Sequence, residues 1–144
     1  MRFAGVFAAG LLLLGCHKPS AATPDAEYRA FAQAVAAAHQ GKEEKLLEFF
    51  DAPTRAALQA RAKAASEATG KNMPDDAAYQ LVLGASNVPP LADVKVADEQ
   101  GDMATVEVVT DGGARGQVKM VREKGRWRIH LDMLPGSTSA DGGA

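Results

Sequence analysis

His130 and Asp132 stand two residues apart in Arg126-Trp127-Arg128-Ile129-His130-Leu131-Asp132-Met133, a stretch that alternates polar with apolar. On a β-strand this spacing puts both on one face, where an imidazole and a carboxylate could share a proton as an acid–base pair. That face lies opposite Trp127, Ile129 and Leu131, so the expectation is a solvated pair outside the sheet, and no catalytic residue is assigned. His39 falls near the end of a helical segment, where the negative helix terminus favours an imidazolium and is reason enough for its presence. Tyr28 and Tyr79 are expected as core aromatics whose hydroxyls reach a rim and could bond a ligand. Three scattered histidines and the single Cys16 give neither a zinc spacing nor an internal disulfide, so no metal and no cofactor is expected. Gly112-Gly113-Ala114-Arg115-Gly116 joins two strands and opens no helix, so it reads as a hairpin loop and not a phosphate cradle. No serine has a recognisable nucleophile context.

The elements that position these residues follow from length and patterning. A chain of 144 residues fits one domain, and 18 acidic against 16 basic residues leave no surplus for phosphates, so nucleic acid is not an expected partner. Thr23 and Pro24, followed by Asp25 and Glu27, read as a helix start, with Tyr28, Phe31 and Val35 at helical spacing and Gly41 beyond the end. Leu46, Leu47, Phe49 and Phe50 mark a second, short helix. Asp51 and Pro53 start a third over 54–69, rich in alanine and charge, with Leu58 its only large apolar residue. A fourth begins at Pro74-Asp75-Asp76, carries Ala78, Leu81 and Val82, and stops at Gly84; Asn87-Val88-Pro89-Pro90 forbids its continuation. The period then switches to two. Residues 93–98, 103–110, 116–123 and 126–133 alternate as strands, separated by turn chemistry that includes Lys124-Gly125. Connections this short imply antiparallel hairpins. Helices followed by a four-stranded meander make the expected fold α+β.

The N-terminus is a separate matter. Met1-Arg2 precedes twelve uninterrupted residues of Phe, Ala, Gly, Val and Leu, from Phe3 to Leu14, which read as a secretory leader. In a helix they rise about 18 Å, short of the ~30 Å hydrocarbon core, so the segment is not expected to span a membrane permanently. Leu13-Leu14-Gly15-Cys16 then resembles the bacterial lipobox, with Leu14 departing from the usual small or β-branched residue. The resemblance implies a diacylglycerol on Cys16, cleavage before it, and acylation of the new amino group. Membrane anchoring through lipid on Cys16 is the partner it implies, and several acyl chains would make release negligible. His17 stands where an inner-membrane retention Asp is usual, which implies the periplasmic face of the outer membrane if the source is didermal. Residues 1–15 would be the signal peptide, 16–23 a tether, 24–134 a single domain and 135–144 a disordered tail. Losing Arg2 with the leader shifts the net charge from −2 to −3.

Helices followed by a meander that closes on Glu123-Lys124-Gly125-Arg126-Trp127-Arg128-Ile129 are similar to the nuclear-transport-factor-2-like (cystatin-like) superfamily, in particular its small bacterial lipoproteins of unknown function. The likeness spans about 24–133, and the final hairpin is its sharpest part. It implies a curved sheet wrapped on helices into a cone whose mouth can be a pocket, and in enzymes of that superfamily polar residues inside the cone.

The alternation places Tyr28, Phe31, Val35 and Phe50 in the interior with Val106, Val108, Met120, Trp127, Ile129 and Leu131. With Tyr79 at the rim, these residues either fill the cone or line an apolar cavity. The sheet is expected to place no carboxylate inside. Lys119, Arg122, Lys124, Arg126 and Arg128 concentrate positive charge in the last hairpin, which reads as a solvated face with Glu107, Glu123 and Asp132 as companions. The expected function is a non-enzymatic, lipid-anchored envelope module that binds or scaffolds a protein partner or a small apolar ligand. The alternative is a small cavity enzyme of isomerase, dehydratase or hydrolase type.

Overall fold

A computed structural model describes residues 22–38, 43–85 and 89–132. The leader with Cys16, His39, Gly41, Asn87-Val88, Met133 and the C-terminal tail therefore lie outside the described residues.

Helix α1 spans Pro24–Ala38, with Asp25 and Glu27 in its first turn where the helix end is positive. The expected short second helix is a 3₁₀ helix over Glu43–Phe49. Helix α2, Ala52–Ala68, begins two residues before the expected Thr54, because Asp51 itself is the N-cap and accepts from the Thr54 amide at 3.1 Å. Its buried side chains, Thr54, Ala62 and Ser66, are all small. Helix α3, Ala77–Ala85, is capped by Asp76, whose Oδ1 accepts from the Ala78 amide at 2.8 Å.

Four strands follow: β1 Leu91–Gln100, β2 Met103–Thr110, β3 Arg115–Glu123 and β4 Arg126–His130. They form one antiparallel sheet in the order β1-β2-β3-β4, so the fold is α+β, with helices packed on a four-stranded meander. The β3–β4 turn takes φ +51° at Lys124 and +79° at Gly125. Two consecutive left-handed residues are what a two-residue hairpin needs to match strand twist. β1 runs past the expected 93–98 at both ends and carries register irregularities between Leu91 and Asp93 and between Val96 and Asp98.

The inner face of the sheet is filled. Phe50, Val94, Ala104, Val106, Val108, Met120, Trp127 and Ile129 form one buried cluster, on which Tyr28, Phe31, Leu58, Leu81 and Leu91 pack. A second cluster of Ala38, Leu46 and Val82 also packs against Phe31. Phe31 is therefore the joint between the two, and its ring meets Tyr28, Phe49 and Phe50 at centroid distances of 5.8, 5.7 and 5.3 Å.

Leu131 corrects the expected interior stripe: it is 37% exposed. Its parity matches Trp127 and Ile129, but β4 ends at His130, and the Leu131 amide leaves the ladder to donate to Thr54 Oγ1 at 3.0 Å. The backbone bond to α2 turns the chain off the sheet before the side chain reaches the core.

The cationic hairpin is largely paired. Arg126 faces buried Glu27 at 3.7 Å, Arg122 approaches Glu99 at 3.7 Å and lies 4.6 Å above the Trp127 ring, and Lys119 pairs with Asp132. Arg128 donates to the Glu48 carbonyl. The acidic companions differ in part from those expected: Glu123 pairs with Arg55, and Glu107 with Lys95 and Arg115.

Candidate functional site

A large concavity lies on the helical side of the core, not within the sheet. It measures about 880 Å³ and is walled by Tyr28, Phe31, Ala32, Val35 and Ala36 of α1, Leu58 and Arg61 of α2, Ala77, Gln80, Leu81 and Gly84 of α3, and Pro90 and Leu91 at the start of β1. Residues 28, 31, 32 and 35 share one stripe of α1 because the helix repeats every 3.6 residues. Leu58 and Arg61, and likewise Ala77, Gln80 and Leu81, follow the same spacing on α2 and α3. Three helices with few large side chains leave this space open. A groove of this size falls in the range of roughly 300–1,000 Å³ typical of small-molecule sites.

Of the interior residues expected from sequence, Tyr28, Phe31 and Val35 line this groove. Phe50, Val106, Val108, Met120, Trp127 and Ile129 are packed in the core. Tyr79 is half-buried on α3 away from the groove lining, and Leu131 is exposed. Leu58, Leu81, Leu91 and Arg61 complete the wall and were not anticipated as a site. Burial pushes the Tyr28 hydroxyl above its ordinary pKa.

A second constellation gathers around His130. Its Nδ1 lies 2.6 Å from Oδ2 of Asp51, and its Nε2 lies 3.3 Å from Oδ1 of Asp132. Asp51 is buried and Asp132 exposed, with Lys119 on the far side of Asp132. The expected His130–Asp132 neighbourhood exists, but the shorter contact is to Asp51, 79 residues away, which sequence alone marked only as a helix start. Around it the Asp51 amide donates to the Ile129 carbonyl at 3.1 Å, the Ala52 amide to Glu123 at 2.9 Å, and Arg55 to Glu123 at 3.3 Å. These bonds clasp the N-terminus of α2 to the end of β4 and the β3–β4 hairpin.

The charges in the clasp follow from their donors. Burial alone would raise the Asp51 carboxyl, but bonds from Thr54 and His130 outweigh it and hold the group below its ordinary value. The Ala52 amide, opposed by desolvation and helped by Arg55 and Arg128, lowers Glu123. Lys119, through its hydrogen bond and then its charge, lowers Asp132.

A depressed folded-state pKa at Asp51 stabilises the fold above the unfolded aspartate value. This contribution is lost as the pH falls through the lower folded value. Asp51→Asn keeps a capping side chain and removes the charge, so it is expected to flatten the acid limb of a melting-temperature profile against pH. Parallel acid limbs in the two proteins would contradict this assignment.

No family model matches the chain, and neither a curated protein nor a solved structure matches it. Among the described residues no helix is long and apolar enough to cross a membrane, and no group of three or more His, Cys, Asp or Glu residues is placed to hold a metal ion. What fold and geometry define is a helices-on-meander α+β protein with an apolar groove on its helical side.

Proposed function

We propose that this chain is a lipid-anchored binding module of a bacterial envelope, and that its helix-lined groove takes a small apolar ligand. The observation that carries the reading is the groove, about 880 Å³ and walled by Phe31, Val35, Leu58, Leu81 and Leu91. Burying an alkyl body there would gain about 25 cal/mol per Å² of apolar surface removed from water. The lipobox-like Leu13-Leu14-Gly15-Cys16 supports the anchor, and the order of elements supports a place among the nuclear-transport-factor-2-like lipoproteins.

Binding is favoured over catalysis by what faces the ligand. A cavity enzyme needs an acid or base within hydrogen-bond reach of a reacting atom. Among the described lining residues there is no carboxylate and no imidazole. The imidazole–carboxylate pair of the fold is committed to the clasp, with both nitrogens of His130 facing carboxylates.

Titration calorimetry of residues 17–144 with 1-dodecanol tests the ligand reading. Saturable binding with a negative heat-capacity change is expected, since this is the robust mark of apolar burial; an absence of saturable binding would overturn it. For the anchor, Cys16→Ala is expected to abolish lipid attachment and leave unprocessed precursor. Incorporation of a fatty-acid analogue into that variant would contradict the assignment.

A further inference from the structure

The charges on the groove wall specify the ligand further. Among its described residues the only ionised side chains are Arg29 and Arg61, both positive, in a chain whose net charge is −2. The two are not equivalent. Arg29 is engaged by the protein: its guanidinium donates to the Val94 carbonyl and lies 3.5 Å from Asp93. Arg61 is exposed on α2, one helical turn after Leu58, and among the described residues it has neither an ion pair nor a hydrogen bond. The neighbouring amide of Gln80 is occupied, donating to the carbonyls of Ala62 at 3.2 Å and Pro74 at 2.8 Å, so it is not free to replace Arg61 as a donor.

We infer that the groove binds a single-chain anionic amphiphile, a long-chain carboxylic acid, with its alkyl chain against Phe31, Val35, Leu58 and Leu81 and its carboxylate on Arg61. This rests on the binding reading above and names the class of ligand within it. A guanidinium presents a planar fork of donors that matches a carboxylate two bonds at a time. A neutral alcohol would fill the same apolar wall but leave that fork to water. An alkylammonium would bring like charge to two arginines. The groove would thus sort molecules of equal chain length by the sign of their head group.

The test is calorimetric titration of residues 17–144 with dodecanoate, 1-dodecanol and dodecylammonium below their aggregation limits at about pH 8, where the acid and the amine are both charged. Dodecanoate is expected to bind roughly five- to tenfold more tightly than the alcohol, a charge-assisted pair at a partly exposed site, and dodecylammonium more weakly than either. The acid's advantage should shrink with added salt, because an exposed pair is screened. Arg61→Gln, at an exposed position that leaves the core intact, is expected to bring acid and alcohol to within about twofold by weakening the acid. Equal binding of acid and alcohol to the unsubstituted protein would overturn the inference while leaving the apolar groove standing. An acid preference that survives Arg61→Gln would overturn the assignment to Arg61. Failure of 1-dodecanol to bind would remove the groove reading above, and failure of dodecanoate to bind would remove this inference.

Discussion

Trp127→Ala is expected to destabilise the fold by about 3–5 kcal/mol, the usual cost of emptying a large aromatic site in a packed core. The indole is 3% exposed and sits in the buried cluster with Phe50, Met120 and Ile129, while Arg122 covers its ring at 4.6 Å. Domains of this size are commonly stable by only ~5–15 kcal/mol, so the variant would lose a large part of its margin. Trp127→Phe keeps most of the apolar volume and a ring face for Arg122, and is expected to cost clearly less. Denaturant titrations of both variants provide the check. An unchanged midpoint for the alanine variant would mean that the face assigned to the core is the wrong one.

Asp51→Ala is expected to cost about 2–4 kcal/mol, combining a lost N-cap of ~1 kcal/mol with loss of charge-assisted bonds and a newly unpartnered imidazole nitrogen at ~1–3 kcal/mol. The size follows from position. Asp51 caps α2 through Thr54, accepts from His130 at 2.6 Å, and its own amide reaches the Ile129 carbonyl, so one side chain and its backbone tie a helix start to a strand end. His130→Ala removes only one of these links and is expected to cost less. If the imidazole contact contributes, the two single effects will sum to more than the double-variant effect. Strict additivity in the denaturant midpoints of that cycle would show that the cap acts alone.

The sheet was legible because period-two alternation and turn residues are local signals. Val106, Val108, Met120, Trp127 and Ile129 are buried as the alternation demands. Helix starts were legible for the same reason, since Asp51, Pro53 and Asp76 act within a turn of their own position. The clasp was not. Asp51 and His130 are 79 residues apart, and no local pattern links a capping carboxylate to a strand-end imidazole. Leu131 misled because side-chain parity is only meaningful while the strand continues, and a hydroxyl on α2 ended it. The groove was half legible. Tyr28, Phe31 and Val35 were expected to line a cavity, but inside the sheet; the opposing wall comes from Leu58, the only large apolar residue of α2, and from Leu81 on the short α3. A cavity made by what three helices fail to fill leaves no periodic signature in any one of them.

The same physical division separates the two constellations. The clasp uses its polar groups against one another and is fully occupied by the protein. The groove presents apolar surface and a guanidinium that no described residue answers. Of the two, the groove is the one with bonding capacity to spare for a ligand.

The most direct measurement is methyl-resolved NMR of the protein titrated with dodecanoate. Saturable shifts are expected at Ala32, Val35, Leu58, Leu81 and Leu91 on the groove wall, with Val106, Val108, Met120 and Ile129 unmoved in the filled sheet interior. Shifts concentrated on the sheet methyls, or no saturable change at the groove, would contradict a binding site on the helical side of the core.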